Sequence, residues 1–233
     1  MTDEPRGYEP ILVKPFGSHW PPSYFLKWAT IATILNNLGI EPGASGLDVG
    51  CGTGWTTLFL VESGYEAVGV DLSEESLAIA RERARRWQVG AEFVQGDFDT
   101  FDIGRQFDFA LSFDALHHSN RPAMFVERVG VHLRPGGWAI FGEPSWLHYI
   151  SPDARRATRE KGWVENGVPV SRLRRCCRDA GMSTFRRFYE GVGPYERRIR
   201  GFGWQLIRLV AANVWVAPQA SIWLAARKDR PPS

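Results

Sequence analysis

The chain has 233 residues, enough for one domain with additions but too few for two full enzyme domains. With 44% hydrophobic, 13% aromatic and 23% charged residues it can build a packed interior, which excludes disorder as its main state. The net charge of +2 hides a split: residues 1–150 carry −8 and the rest carry +10, so the C-terminal part suits an anionic substrate, surface or partner, or simply a solvated basic face. Three cysteines, two of them adjacent at Cys176 and Cys177, fit a reducing cytoplasm, and the opening MTDEPRGYEP lacks the apolar run of a signal peptide.

In chain order, Phe25, Trp28, Ala32, Leu35 and Leu38 recur at helical spacing and predict a helix over Tyr24 to Leu38, ended by Gly39. Short apolar runs then alternate with capped amphipathic stretches, the pattern of parallel βαβ units. Strands are expected at Gly46 to Val49, Ala67 to Val70, Glu92 to Val94, Phe107 to Phe113 and Trp138 to Gly142. Helices are expected at Glu74 to Gln88, with Ser73 as N-cap and Leu77, Ala80, Ala84 and Trp87 inward, and at Pro122 to Leu133, closed by the Arg134-Pro135-Gly136-Gly137 turn. Pro144 to Val168 reads as a long connection, a length that tends to be functional. A basic helix over Val170 to Asp179, a strand over Ser183 to Tyr189, a helix near Tyr195 to Val216 and a strand over Ser221 to Ala226 follow. Phe202 to Ala226 is not a membrane span, because Gln205, Arg208, Asn213 and Pro218 interrupt it.

The most informative segment is GLDVGCGTGWTT, residues 46–57, where a strand enters Gly50, Cys51, Gly52, Thr53 and Gly54 before a helix. Glycines let the backbone turn sharply and approach a ligand at a helix N-terminus. The third glycine of a dinucleotide fingerprint would fall on Trp55, and no Gly-Lys-Ser/Thr follows, so dinucleotide and P-loop readings lose ground. An acid at the strand end, Asp48, before alternating glycines suits a cationic aminoacyl nucleoside.

With AVGVDLS (67–73), QGDFDTF (95–101) and FDFALSFDALHHS (107–119), this segment resembles the Rossmann-like S-adenosylmethionine-dependent methyltransferases over roughly 100 residues. The resemblance implies an α/β, doubly wound seven-stranded sheet, mostly parallel with an antiparallel last strand. It would form one domain: an N-terminal helical lid (1–43), a cofactor-binding core (44–143), and a substrate cap with C-terminal strands (144–233). It implies S-adenosylmethionine as cofactor, with Asp48, Gly50, Cys51, Gly52 and Gly54 beside its methionine part and ribose. Asp71, 21 residues after Gly50, would hold the ribose, with Leu72 on the adenine face. Asp97 and Phe98 would meet the adenine edge, and Phe113, Asp114 and His118 would lie near the sulfonium.

A methyl donor this activated requires an aligned nucleophile and, for a hydroxyl, a base. His117 or His118, with Glu143 from the next strand, is the candidate, although either histidine could instead brace its loop. Trp20 and Tyr24 in the N-terminal segment, and Trp146 and Tyr149 after Glu143, are candidate substrate contacts. The acceptor is expected to be a small molecule, apolar and anionic together given Arg197, Arg198, Arg200 and Arg208. The same surface could make peripheral membrane contact, whereas no nucleic-acid-reading module is present. A non-catalytic cofactor-binding scaffold is the alternative, N- and C-methylation stay open beside O-methylation, and the spacing of His and Cys gives no metal site.

Overall fold

The computed structural model describes residues 23–144, 152–161, 165–189 and 221–231. Its strands are β1 (Ser45–Val49), β2 (Glu66–Asp71), β3 (Glu92–Gln95), β4 (Phe107–Phe113), β5 (Leu133–Pro144), β6 (Met182–Tyr189) and β7 (Ser221–Lys228). They form one seven-stranded sheet in the order β3-β2-β1-β4-β5-β7-β6. The first five pair in parallel, and β7 runs antiparallel to both β5 and β6. The chain winds outward from β1 in one direction to β3 and in the other through β4, so a crevice opens at the carboxyl ends of β1 and β4, where open α/β sheets bind ligands.

The helices are α1 (Ser23–Asn37), α2 (Trp55–Glu62), α3 (Glu74–Trp87), α4 (Pro122–Val131), α5 (Pro152–Lys161) and α6 (Val170–Asp179), with a 3-10 turn over Leu116–His118. Both faces of the sheet are covered, which explains why its strands read as apolar runs without alternation. On one face Leu47, Val49, Val68, Val70, Ala139, Phe141, Leu224 and Ala226 meet Phe125 and Val129 of α4 and Leu173 and Cys177 of α6. On the other, Leu111, Ile140, Trp223 and Ala225 meet Ile31, Ile34 and Leu35 of α1. Each large apolar side chain so buried stabilises the fold by about 1.5–3 kcal/mol.

Several expectations shift. The buried face of α1 is Tyr24, Ile31, Ile34 and Leu35, whereas Phe25 and Ala32 face out, because the helix carries apolar residues on more than one stripe. These side chains pack as a layer of the core. On α3, Leu77, Ala80 and Ala84 are buried as expected, but Trp87 is exposed and stacks on Phe59. The Arg134–Gly137 turn lies inside β5. Phe107 pairs with Leu133 and Phe109 with Trp138, so four residues bulge out between two paired pieces. The connection after Pro144 contains α5, whose PDARRATREK sequence has no apolar stripe to announce it. The helix expected near Tyr195 to Val216 lies outside the described residues. Among those described, no helix is long and apolar enough to cross a membrane.

Candidate active site

The strand β1 ends in a turn whose shape depends on its glycines. Gly50, Gly52 and Gly54 all have positive φ, 78°, 53° and 79°. A Cβ on Gly50 would overlap the methyl of Ala115, and one on Gly54 would lie 2.7 Å from Ala80, so these two let the β4 loop and α3 approach. A Cβ on Gly52 would meet nothing within 4 Å; this glycine borders open space. The turn is held from below: the amides of Gly50 and Cys51 donate to the Val70 carbonyl, and Arg83 donates to Thr53.

Asp48 does not project into the crevice. It is buried, and its Oδ2 accepts from the hydroxyls of Thr56 and Thr57, fastening β1 to the start of α2. Burial, partly offset by these hydrogen bonds, pushes its carboxyl up to about 6, and the nearby Asp71 charge adds to the rise. Cys51 is a buried filler beside it whose thiol is raised well above its ordinary range by burial and by both carboxylates. Trp55 points into the core, edge-on to Tyr24 and Phe113, and so does not crowd the turn.

Asp71 ends β2 and spans the site. Its Oδ2 accepts from the Gly52 amide at 2.8 Å and its Oδ1 from the Ser73 amide at 2.9 Å. Burial raises its pKa, while these hydrogen bonds and the His118 charge work against the rise. Leu72 next to it is 55% exposed, an apolar side chain facing water. Ser73 caps α3 through the Ser76 amide, so Asp71 is not needed as the cap. Asp97 is exposed and accepts from the Asp99 amide through Oδ1, and the Phe98 ring lies between Gly50 and Phe125.

The loop after β4 brings together a cluster of ionisable side chains. Asp114 adopts a left-handed φ of 57°, which a short polar side chain tolerates, and turns the chain into Leu116–His118. Glu143 of β5 lies beneath this turn. Its Oε1 accepts from the Leu116 amide at 3.0 Å and the Ser112 hydroxyl at 3.3 Å; its Oε2 accepts from His117 Nδ1 at 2.8 Å. His117 and Glu143 are both buried. Burial opposes charging of His117, but the Glu143 hydrogen bond and the charges of Glu143, Asp114 and Glu165 outweigh it, and its pKa rises. The His118 ring centroid is 3.9 Å from that of His117, yet its side chain remains 34% exposed.

The sequence placed both histidines and Glu143 here but missed Glu165. Its carboxylate lies 3.7 Å from His117 Nε2 and 3.7 Å from His118 Nδ1. Asn166 fixes this segment, its amide donating to the His117 carbonyl and its Nδ2 to the Ser119 carbonyl. The only signal for it in one dimension was the length of the connection. Two other expectations change. Phe113 is a core ring, stacked on Trp223 at 5.5 Å, and Tyr24 is buried, its hydroxyl pKa raised by burial and by Asp114. Trp20, Trp146 and Tyr149 lie outside the described residues, as do Arg197, Arg198, Arg200 and Arg208.

Residues 47–137 match a family model described as a methyltransferase domain. The chain is 32% identical, over 65% of its length and 47% of the relative's, to an uncharacterised 37.1 kDa protein in transposon TN4556 of Streptomyces fradiae. It is 30% identical, over 55% of its length and 59% of the relative's, to the ubiquinone biosynthesis O-methyltransferase of Methylococcus capsulatus. It thus spans about half the length of the curated relatives it matches. Among solved structures, an S-adenosylmethionine dependent methyltransferase from Mesorhizobium loti has a TM-score of 0.64 at 22% identity, covering 87% of this chain and all of that one, a likeness of fold.

Proposed function

We propose that this chain, whose residues 47–137 match a methyltransferase domain and whose fold is that of S-adenosylmethionine-dependent methyltransferases, transfers a methyl group from S-adenosylmethionine to a hydroxyl of a small acceptor. The observation that carries this reading is the position of Asp71. One carboxylate bonds the glycine turn at Gly52 and lies close enough to His118 to feel its charge, so cofactor cradle and acid-base groups share one crevice.

The residues present fit the cofactor. Open space at Gly52 admits a ligand against the backbone, and a carboxylate has about four acceptor sites. Asp71 uses part of this capacity on the Gly52 and Ser73 amides, and the remainder would serve ribose hydroxyls. Leu72 offers an apolar surface to the adenine, and Asp97 with the Phe98 amide meets its edge. Asp48 and Cys51 position the turn rather than touch the ligand.

When bound, S-adenosylmethionine supplies a methyl group already activated on a sulfonium. The protein's remaining task is to align the acceptor and take its proton. His118, one-third exposed beside Glu165, accepts that proton as the new carbon–oxygen bond forms, while His117 and Glu143 are positioning residues that hold the turn. The name of the Methylococcus relative, and the Arg- and aromatic-rich residues after 190, support an apolar hydroxyl acceptor with an anionic group.

Calorimetric titration with S-adenosylmethionine, followed by transfer of tritiated methyl to a panel of phenols and sugar alcohols, tests the reading. We expect saturable binding weakened at least tenfold in Asp71→Ala, and turnover lost in His118→Ala without loss of cofactor affinity. A folded protein that binds no cofactor overturns it, and binding without transfer to any hydroxyl favours the scaffold alternative.

A further inference from the structure

Among the described residues, His117, His118 and Glu165 each offer one donor atom such that all three lie within 4.8 Å of one another. The two histidine-to-carboxylate separations are 3.7 Å. Two ligand atoms bonded to one ion at about 2.1 Å can be no more than roughly 4.2 Å apart; each 3.7 Å separation lies within that limit but runs to a different oxygen of Glu165, so side-chain rotations must close the three-donor set from its present 4.8 Å spread. We propose that these three residues form a binding site for a divalent first-row transition ion of the zinc class.

Three further features support the site. Glu143 fixes the His117 tautomer: its carboxylate accepts from backbone amides and from Ser112, so it faces His117 Nδ1 as an acceptor and leaves Nε2, the atom toward Glu165, for the ion. A carboxylate behind a ligating histidine is the usual support of such sites. Asn166 pins the third ligand through two hydrogen bonds to the histidine turn, so Glu165 does not depend on chance loop geometry. Two imidazoles and one carboxylate favour zinc-like ions over magnesium or calcium, which prefer all-oxygen shells. Three protein ligands leave a fourth position for an exogenous oxygen, as in catalytic rather than structural sites.

The existence of the site is independent of the methyl-transfer reading; its use rests on it. In the metal-free protein His118 keeps the base role given above; with an ion held by His117, His118 and Glu165, the ion would take over that role by acidifying a hydroxyl at its open position.

The test uses tag-free protein stripped with a chelator and titrated with zinc by calorimetry, with cobalt absorption as a report on coordination and magnesium as a control. One equivalent of zinc should bind, at least tenfold more weakly in both Glu165→Gln and His118→Ala, with circular dichroism unchanged. No stoichiometric uptake by the folded protein, parental affinity in either variant, or magnesium binding as tight as zinc would overturn the site. S-adenosylmethionine affinity of the stripped protein is measured alongside: cofactor binding without zinc uptake rejects the ion site and leaves the methyl-donor reading standing.

Discussion

Glu143 and His117 meet at 2.8 Å in a buried position, one from β5 and the other from the turn after β4. The same carboxylate accepts from backbone amides of that turn, so a single side chain sets both the backbone and the imidazole of the histidine pair. Its neighbour His118 shares the location without the burial.

This difference predicts a separation of stability from activity. Glu143→Gln should lower unfolding free energy by about 2–4 kcal/mol, because an amide cannot accept from the amides and the imidazole together and leaves buried donors unmet. His118→Ala should cost under about 1 kcal/mol, as expected for a partly exposed side chain, yet reduce turnover by about 100-fold or more. Urea unfolding and steady-state rates on both variants check this. Equal stability losses would reject the division of roles.

The glycine turn gives a second contrast. Gly50→Ala combines a left-handed φ with overlap of Ala115 and should destabilise by more than about 2 kcal/mol. Gly52→Ala meets no protein atom within 4 Å, so only backbone strain of about 1 kcal/mol remains, while its methyl would enter the space proposed above for the cofactor. Thermal unfolding together with cofactor calorimetry should find Gly50→Ala poorly folded, and Gly52→Ala folded but weak in binding.

Asp48 makes stability depend on pH. Its folded pKa of about 6 stands above the ordinary 3.8, so the native state holds a proton that the unfolded chain has already lost. That contribution is complete below pH 4 and is lost as pH rises to 6, above which the buried charge costs up to about 3 kcal/mol. Asp48→Asn should therefore gain stability relative to the parent between pH 4 and pH 6 and hold a constant difference above. A difference that stays flat from pH 4 to pH 7 in urea titrations would show that Asp48 does not titrate in this window.

The three thiols should be inert in the folded protein. Burial and the neighbouring Cys176 push Cys177 up to about 12, burial raises Cys176, and burial with two carboxylates raises Cys51 well above its usual range. Thiolate is the reactive form, so Ellman's reagent at pH 8 should react about 100-fold more slowly with native than with unfolded protein. A rapid native phase would contradict the burial of at least one.

The sheet was legible because its strands are buried on both sides: runs such as LDV before Gly50 and FALSF before Asp114 have no other place to be stable. The α1 face was not, since Phe25, Trp28, Ile31, Ile34 and Leu35 allow more than one inward stripe and only packing on Ile140 and Trp223 chooses between them. Helix α5 was invisible for the opposite reason, having almost no apolar residue to give a period. For the site, glycines and strand-end acids were readable because backbone geometry at a tight turn restricts residue type locally.

By itself, the sequence determined the alternation of elements, the glycine turn and the position of Asp71, His117, His118 and Glu143 at strand ends. All of these follow from local sterics and from the period of apolar residues. Only the tertiary structure decided that Asp48 is buried and braces the start of α2 through Thr56 and Thr57, that Glu143 is buried beneath the histidine turn, and that Glu165 arrives 47 residues after His118 to face both rings. Those outcomes depend on which side chains exclude water together, and that is settled by packing across the sheet rather than by neighbours along the chain.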